Sequence, residues 1–335
     1  MKKKDTILIT NNQVTKVLND IEILISLVEK SFLRYTEGKT ILPEKNSQIF
    51  DEMIQNRINC MPATLIEEKV AGVKWVSVFP NNPMYGLDNV NGLMILSEIE
   101  SGQPIAVMDC AALTSIRTAS VGACALKYLS KKNPDSIGFI GSGAEARAHF
   151  KIIKDLFPTI ASCFVSSNSF ESNENFIKDV RKQYSNVNYI NCEDNFEKAV
   201  FDSDIIVTAT SAQKPLLKES WIKSGATYVH VGGYEDEYNV ALSASKIVCD
   251  KWENVKHRGS QTISKMYKSG LLTDENIYAD LSEIIAGKKI GRENEDEFIY
   301  FNSVGLAYID VMIANYVYEC YRDKKDAFKF QFKDS

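Results

Sequence analysis

Histidine is nearly missing from this 335-residue sequence, which contains three. With so few imidazoles, a histidine-rich metal centre is not expected. The seven cysteines, Cys60, Cys110, Cys124, Cys163, Cys192, Cys249 and Cys320, form no CxxC pair and have no histidine at ligand spacing. An odd, dispersed set inside apolar segments reads as reduced, buried thiols rather than disulfides or a metal site. Positive charge is not in excess either. The 39 Lys and Arg against 44 Asp and Glu leave a net charge of -5, so there is no basic field for a phosphate backbone and no nucleic-acid partner is expected. Apolar runs of membrane length are absent. Met1-Lys2-Lys3-Lys4 has the charge of a signal-peptide start, but the run behind it, Ile7-Leu8-Ile9, stops far short of a signal or a span. The three lysines read as a solvated tail, no membrane partner is expected, and the chain reads as cytoplasmic.

What is present is an ordinary globular composition, 44% hydrophobic and 25% charged, with nothing of low complexity. The length fits two domains better than a single core. The first third patterns as α+β. A strand at 7–10 precedes a strongly periodic helix at 21–35. Runs at 56–64, 70–79, 92–97 and 104–109, separated by turn residues, predict an antiparallel sheet. A helix crowded with small residues follows at 111–129.

From Lys131 the pattern changes. Short apolar strands at 136–140, 162–166, 186–191, 204–209, 227–231 and 246–250 alternate with helical stretches. That alternation predicts a parallel sheet covered on both faces. A strand at 298–301 and a helix at 306–322 close the ordered chain, and that last helix is free to return to the first domain. The expected class is α/β, a Rossmann-type doubly wound sheet plus an α+β domain.

Between the strand at 136–140 and the next helix stands Gly141-Ser142-Gly143-Ala144-Glu145-Ala146. In this G-x-G-x-x-A pattern Gly141 permits a tight turn and Gly143 lets the backbone approach a pyrophosphate. Ala146 keeps the helix close to the strand, and the free N–H groups at the helix start face the anion. Its place between a predicted strand and a predicted helix is the context the motif needs. The following strand ends in Ser166-Ser167-Asn168, with neither a carboxylate for the ribose hydroxyls nor an arginine for a 2′-phosphate. NAD and NADP both stay open. Thr208-Ala209-Thr210-Ser211 ends another strand, where the nicotinamide half of a dinucleotide would pass; an ordinary surface loop reads equally well.

Four cations lie in or beside apolar segments of the first domain: Lys45, Arg57, Lys74 and Arg117. Lys74 is the sharpest anomaly, with apolar neighbours on both sides. Two readings are open for it: the solvent face of a half-buried strand, or convergence with the arginines on a carboxylate. Glu235 and Asp236, which follow Val231-Gly232-Gly233-Tyr234, are either acid–base groups at a strand edge or part of a solvated loop or helix cap. Residues 291–297, Gly-Arg-Glu-Asn-Glu-Asp-Glu, read as an exposed charged turn.

Taken in order, Val73-Lys74 with Val78-Phe79-Pro80, Ile116-Arg117-Thr118-Ala119, Gly141-Ser142-Gly143, Val231-Gly232-Gly233, and Gly291-Arg292 followed by Ser303-Val304-Gly305 resemble the ornithine cyclodeaminase/mu-crystallin family. The resemblance runs from the first helix to near the end. It implies a substrate-binding and dimerisation domain at 1–120 plus 306–335, a Rossmann domain at 121–305, and a homodimer. It implies that Arg57, Lys74 and Arg117, with Lys45 as a fourth member, hold the carboxylate of a small amino or imino acid. NAD or NADP would meet Thr118, the loop Gly141, Ser142, Gly143, Ala144, Glu145 and Ala146, then Ser166, Ser167 and Asn168. On the nicotinamide side it would meet Thr208, Thr210, Ser211, Val231, Gly232 and Ser303. Lys74, Glu235 and Asp236 are the acid–base candidates, and no metal is implied.

Two departures argue against ornithine cyclisation. Asn59 stands where cyclodeaminases carry a glutamate, and Tyr234 where they carry an aspartate. Gly72-Val73-Lys74-Trp75 and Pro104-Ile105-Ala106-Val107-Met108, together with the acidic run after Gly291-Arg292, resemble the opine-type dehydrogenase branch. Val78-Phe79-Pro80 resembles the alanine dehydrogenase and ketimine reductase branch. The implied activity is oxidative cleavage of an opine-like substrate such as N-(2-amino-2-carboxyethyl)-L-glutamate. The alternatives are alanine dehydrogenase or ketimine reductase, a cyclodeaminase, and a non-catalytic NADP-dependent binding protein of mu-crystallin type.

Overall fold

A computed structural model describes residues 5–51, 53–324 and 327–331; Lys2, Lys3 and Lys4, read above as a solvated tail, lie outside them. The chain forms two compact units, Met1–Arg117 with Leu306–Ser335, and Thr118–Gly305. The helix Ala111–Leu129 begins in the first unit and continues in the second.

The first unit is built on strands β1 (Thr6–Ile9), β2 (Thr40–Ile41), β3 (Asn46–Asp51), β4 (Asn56–Leu65), β5 (Val70–Val78), β6 (Val90–Glu98) and β7 (Pro104–Asp109). The four predicted runs are β4 to β7, and they pair antiparallel in sequence order. Their alternation of apolar and polar residues suits a sheet whose two faces differ in cover. β1 adds parallel to β7, and Phe328–Phe330 adds antiparallel beyond β1. β3 pairs with β4 and was not predicted; it shows no alternation because nearly all of it is exposed.

The register places Arg57, Asn59, Met61, Ala63 and Leu65 of β4 on the same face as Val78, Val76, Lys74, Gly72 and Val70 of β5. The helix Ala307–Tyr321 lies across that face and also packs on the helix Ile21–Thr36. It is apolar on almost every side, which suits burial all round. Gly72 makes the close approach possible, since a Cβ there would lie 2.9 Å from Val311 Cγ2. Tyr308 stacks on Tyr35 at 5.3 Å and meets Phe32 edge-on, fixing the two helices together. On the opposite face Trp75 and Leu93, a cross-strand pair, are 42% and 47% exposed.

The second unit contains β8 (Ser136–Ile140), β9 (Ser162–Ser166), β10 (Asn188–Asn191), β11 (Ile205–Thr208), β12 (Gln213–Leu217), β13 (Thr227–His230), β14 (Tyr234–Asp236), β15 (Lys246–Cys249), β16 (Ala279–Asp280) and β17 (Ile299–Asn302). The main sheet runs β10-β9-β8-β11-β13-β17-β15-β16, every pair parallel, as the alternating pattern predicts. Every residue of β8, β11, β13, β15 and β17 is buried, so their apolar runs are continuous rather than alternating. The chain builds outward from β8 to β10 and then returns to β11. That reversal leaves a crevice at the carboxyl ends of β8 and β11, where open α/β sheets bind ligands.

Five cysteines are buried as expected, whereas Cys60 and Cys320 are half-buried. The charged run after Gly291 is not simply an exposed turn. Arg292 donates to the carbonyls of Leu129 and Glu297 and to Thr227 Oγ1, and Glu297 pairs with the buried Lys246 at 3.0 Å. Among the described residues no helix is long and apolar enough to cross a membrane.

Candidate active site

Lys74 lies on the covered face of β5 and is buried. Its Nζ donates to Asp310 Oδ1 at 2.6 Å, and Arg117 Nε donates to the same oxygen at 2.8 Å. The reading that put Lys74 on a solvent face is therefore corrected: the register turns it toward the C-terminal helix. The carboxylate on which Lys74 and Arg117 converge belongs to the chain itself. Asp310 was missed in the sequence, although a lone acid inside Tyr308-Ile309-Asp310-Val311-Met312-Ile313 is the kind of anomaly that flagged Lys74. Burial, and then the neighbouring Arg117 charge, push the Lys74 pKa down, while Asp310 opposes them. With two cations on one carboxylate, the cluster keeps one net positive charge.

Arg57 occupies the same face, four residues along β4 from Met61, the partner of Lys74. At strand spacing that is about 13 Å of backbone. Its Nη1 donates to the Gln55 carbonyl at 3.0 Å, and burial lowers its pKa. Lys45 immediately precedes β3, whose first pair is Asn46 with Cys60, so it stands level with Met61. Between Arg57 and Met61 sits buried Asn59, whose Oδ1 accepts from Ser47 Oγ at 2.8 Å. The structure thus joins Lys74 and Arg117 at one carboxylate and sets Arg57 apart along the same face.

In the second unit Gly141 has φ +106°, and a Cβ there would lie 2.6 Å from the Ala209 carbonyl oxygen. Only glycine holds this turn so close to the segment after β11. Gly143 caps the helix Ala144–Leu156, and its Cβ position is open space. The first-turn N–H groups of a helix, next to an uncrowded glycine at the switch point of the sheet, fit a pyrophosphate. Arg147 adds a cation beside the loop, donating to the Ser142 carbonyl at 3.0 Å.

The hydroxyl groups expected to meet the cofactor are largely engaged with the protein. Ser142 Oγ donates to Ser167 Oγ, Ser167 Oγ to Asn173 Oδ1, and Ser166 Oγ to the Glu193 carbonyl. Ser303 Oγ donates to the buried Asp250. Thr118 lies on the long helix Ala111–Leu129, and Ser211 is exposed just past β11. Thr208 and Thr210 turn inward to Glu235 rather than outward. The cause is the fold: β14 directs Glu235 and Asp236 into the interior, and both are fully buried. This corrects the solvated-loop reading of these carboxylates, and it removes them from the edge where a water-activating base would stand.

Asp236 Oδ1 accepts from Thr262 at 2.6 Å and from Tyr300 at 3.3 Å, while Oδ2 has no partner among the described residues. Burial raises its pKa to about 7. His230, which stacks on Tyr228, is lowered by burial to about 3 and is neutral at ordinary pH.

The ornithine cyclodeaminase/mu-crystallin family model matches residues 4–325. The chain belongs to that family. It is 34% identical to an alanine dehydrogenase of Archaeoglobus fulgidus, covering 98% of this chain and 99% of that one. It is 29% identical to an N-((2S)-2-amino-2-carboxyethyl)-L-glutamate dehydrogenase of Staphylococcus aureus over 79% of each chain. Among solved structures, an archaeal alanine dehydrogenase dimer with bound NAD is 32% identical with a TM-score of 0.89, over 98% of this chain and 100% of that chain. A Delta(1)-pyrroline-2-carboxylate reductase of Thermococcus litoralis, in complex with NADH and L-proline, is 30% identical with a TM-score of 0.88, over 94% and 97%. With its dinucleotide loop formed, this member of the family is an NAD(P)-dependent oxidoreductase.

Proposed function

We propose that this enzyme oxidises the C–N bond of an opine-like amino acid carrying carboxylates at both ends, such as N-(2-amino-2-carboxyethyl)-L-glutamate. The observation behind the reading is the spacing of cations on one sheet face. Lys74 and Arg117 form one station, with a net positive charge after Asp310 is counted. Arg57 forms a second, about 13 Å along the backbone, with no carboxylate against it in the described residues. Asn59, between them, has its carbonyl oxygen committed to Ser47. Its amide is left as a donor for a polar acceptor on the substrate.

A nicotinamide dinucleotide, when bound, supplies the hydride acceptor for oxidation at the substrate α-carbon, or the hydride donor in reverse. The chain's own residues hold and orient the substrate. The cations fix its carboxylates, and fixing the geometry removes most of the entropic barrier. Loss of hydride turns the CH–NH bond into C=NH⁺, and the Lys74 ammonium, its pKa lowered by burial, gives its proton to the nitrogen that departs in the hydrolysis. Water then adds to the imine carbon, and the C–N bond breaks to give an amine and a 2-oxo acid, here 2,3-diaminopropionate and 2-oxoglutarate. Glu235 takes no part in these steps, because its oxygens already accept from Thr208, Thr210 and Gly232.

Likeness to alanine dehydrogenase over almost the whole chain favours a second reading, a smaller amino acid held by Lys74 and Arg117 alone. The two separate in one assay. Purified protein with NAD or NADP is given N-(2-amino-2-carboxyethyl)-L-glutamate, alanine, proline or ornithine, and reduced nicotinamide is followed by absorbance. Reduction with the opine alone supports the proposal, and reduction with alanine alone replaces it. Dinucleotide binding without turnover in either direction supports a mu-crystallin-like binding protein. The exposed Trp75–Leu93 face of the first unit further suggests a homodimer that covers it.

A further inference from the structure

We infer that Glu235 is a positioning residue that sets the dinucleotide loops of the second unit, an inference that rests on the dinucleotide reading above. Glu235 follows β13, and its carboxylate reaches back to the ends of two adjacent strands. Oε1 accepts from the Thr210 backbone N–H and from Thr210 Oγ1, both at 2.6 Å. Oε2 accepts from Thr208 Oγ1 at 2.7 Å and from the Gly232 backbone N–H at 2.8 Å. Four donors meet the ordinary accepting capacity of a carboxylate. No lone pair is left for a substrate or a water.

The neighbouring sequence is shaped around this group. A Cβ on Gly232 would lie 2.4 Å from the Glu235 carboxyl carbon, so glycine is required for the carboxylate to enter. Thr210 and Ala209, held from below, form the shelf on which Gly141 packs. One side chain therefore ties the loop after β11 to the loop after β13 and, through Ala209 and Thr210, supports the pyrophosphate turn. The ionisable groups around it include Asp236, Tyr228 and His230, whose Nε2 is 3.5 Å from Oε2.

The test compares the whole protein with Glu235→Gln and Gly232→Ala. Glutamine keeps the size but presents an N–H to donors that have nowhere to move. Alanine expels the carboxylate from the other side. NADH affinity by fluorescence titration is expected to fall about ten- to a hundredfold in each variant. Hydrogen exchange at the Thr210 and Gly232 amides, measured without dinucleotide, is expected to accelerate. The double variant is expected to be little worse than either single one, because both remove the same contact. Any activity loss should fall on the KM for dinucleotide, with the KM for amino acid unchanged. If Glu235→Gln does not fold, Thr210→Val, which deletes one of the four bonds, should show the same changes at smaller size. Wild-type affinity and exchange in a folded Glu235→Gln protein would overturn the inference while leaving the oxidoreductase reading intact. Failure of the wild type to bind either dinucleotide would overturn both.

Discussion

A single oxygen of Asp310 serves two buried cations. Oδ1 lies 2.6 Å from Lys74 Nζ and 2.8 Å from Arg117 Nε, and Oδ2 has no hydrogen-bond partner among the described residues. Asp310 is completely buried, so neither cation can turn to water if the carboxylate is lost.

Replacing Asp310 with alanine is therefore expected to destabilise the first unit by about 3–5 kcal/mol, the cost of leaving buried charge uncompensated. Chemical denaturation followed by tryptophan fluorescence measures it. Replacing Asp310 and Lys74 together, by alanine and methionine, should cost less than the sum of the separate changes, because they share one interaction. Additive losses would mean that the pair is not coupled.

Lys74→Met keeps the length of the side chain and removes the ammonium. Turnover of the oxidisable substrate is expected to drop by about 10²–10⁴-fold, the usual share of a positioned acid–base group. NADH binding should be unchanged, since Lys74 lies in the first unit and the glycine loop in the second. Equal loss of binding and turnover would remove Lys74 from a substrate role.

His230 and Asp236 carry opposite pH linkages in one buried cluster. Asp236 is raised from an ordinary 3.8 to about 7, so between these values the folded chain holds a proton that the unfolded chain has released. Its stabilising contribution is present below about 4 and is lost as pH rises through about 7. His230 is lowered from 6.5 to about 3, so over that range the unfolded chain binds the extra proton. Its contribution is present above 6.5 and is lost as pH falls toward 3. Between about pH 4 and 6.5 the two slopes cancel at about 1.4 kcal/mol per pH unit each. Denaturation curves across that window should show Asp236→Asn gaining stability with rising pH and His230→Asn losing it. Parallel pH profiles for both variants would exclude this pairing.

Trp75 and Leu93 face each other across β5 and β6 on the exposed side of the first sheet. Glutamate at both positions should shift the protein from dimer to monomer in sedimentation velocity, since two buried like charges would oppose each other across a two-fold contact. A monomeric wild type, or a dimer indifferent to the substitutions, would assign that face no role in assembly.

Much of the architecture is written locally in the amino-acid pattern. The strands of the parallel sheet announce themselves as short apolar runs, and the helix Ile21–Thr36 by its period, because burial on a regular element leaves a local pattern. Gly141 and Gly143 are equally local, since a tight turn before a helix needs them within three residues. β3 is not legible because an exposed strand carries no alternation, and β16 because two residues are too few to show any.

The site itself divides along the same line. The local pattern marks Lys74 as an anomaly, a lysine among apolar neighbours, and sets Glu235 and Asp236 after a strand of the dinucleotide unit. Their partners come from packing between distant segments. Lys74 and Asp310 are 236 residues apart, and they meet because β5 shows one face to the C-terminal helix. Glu235 faces inward because β14 pairs with β12 and carries it beneath the ends of β11 and β13. A local pattern records whether a residue is buried; which distant charge or amide it meets depends on strand register and helix placement, which arise only when the whole chain packs.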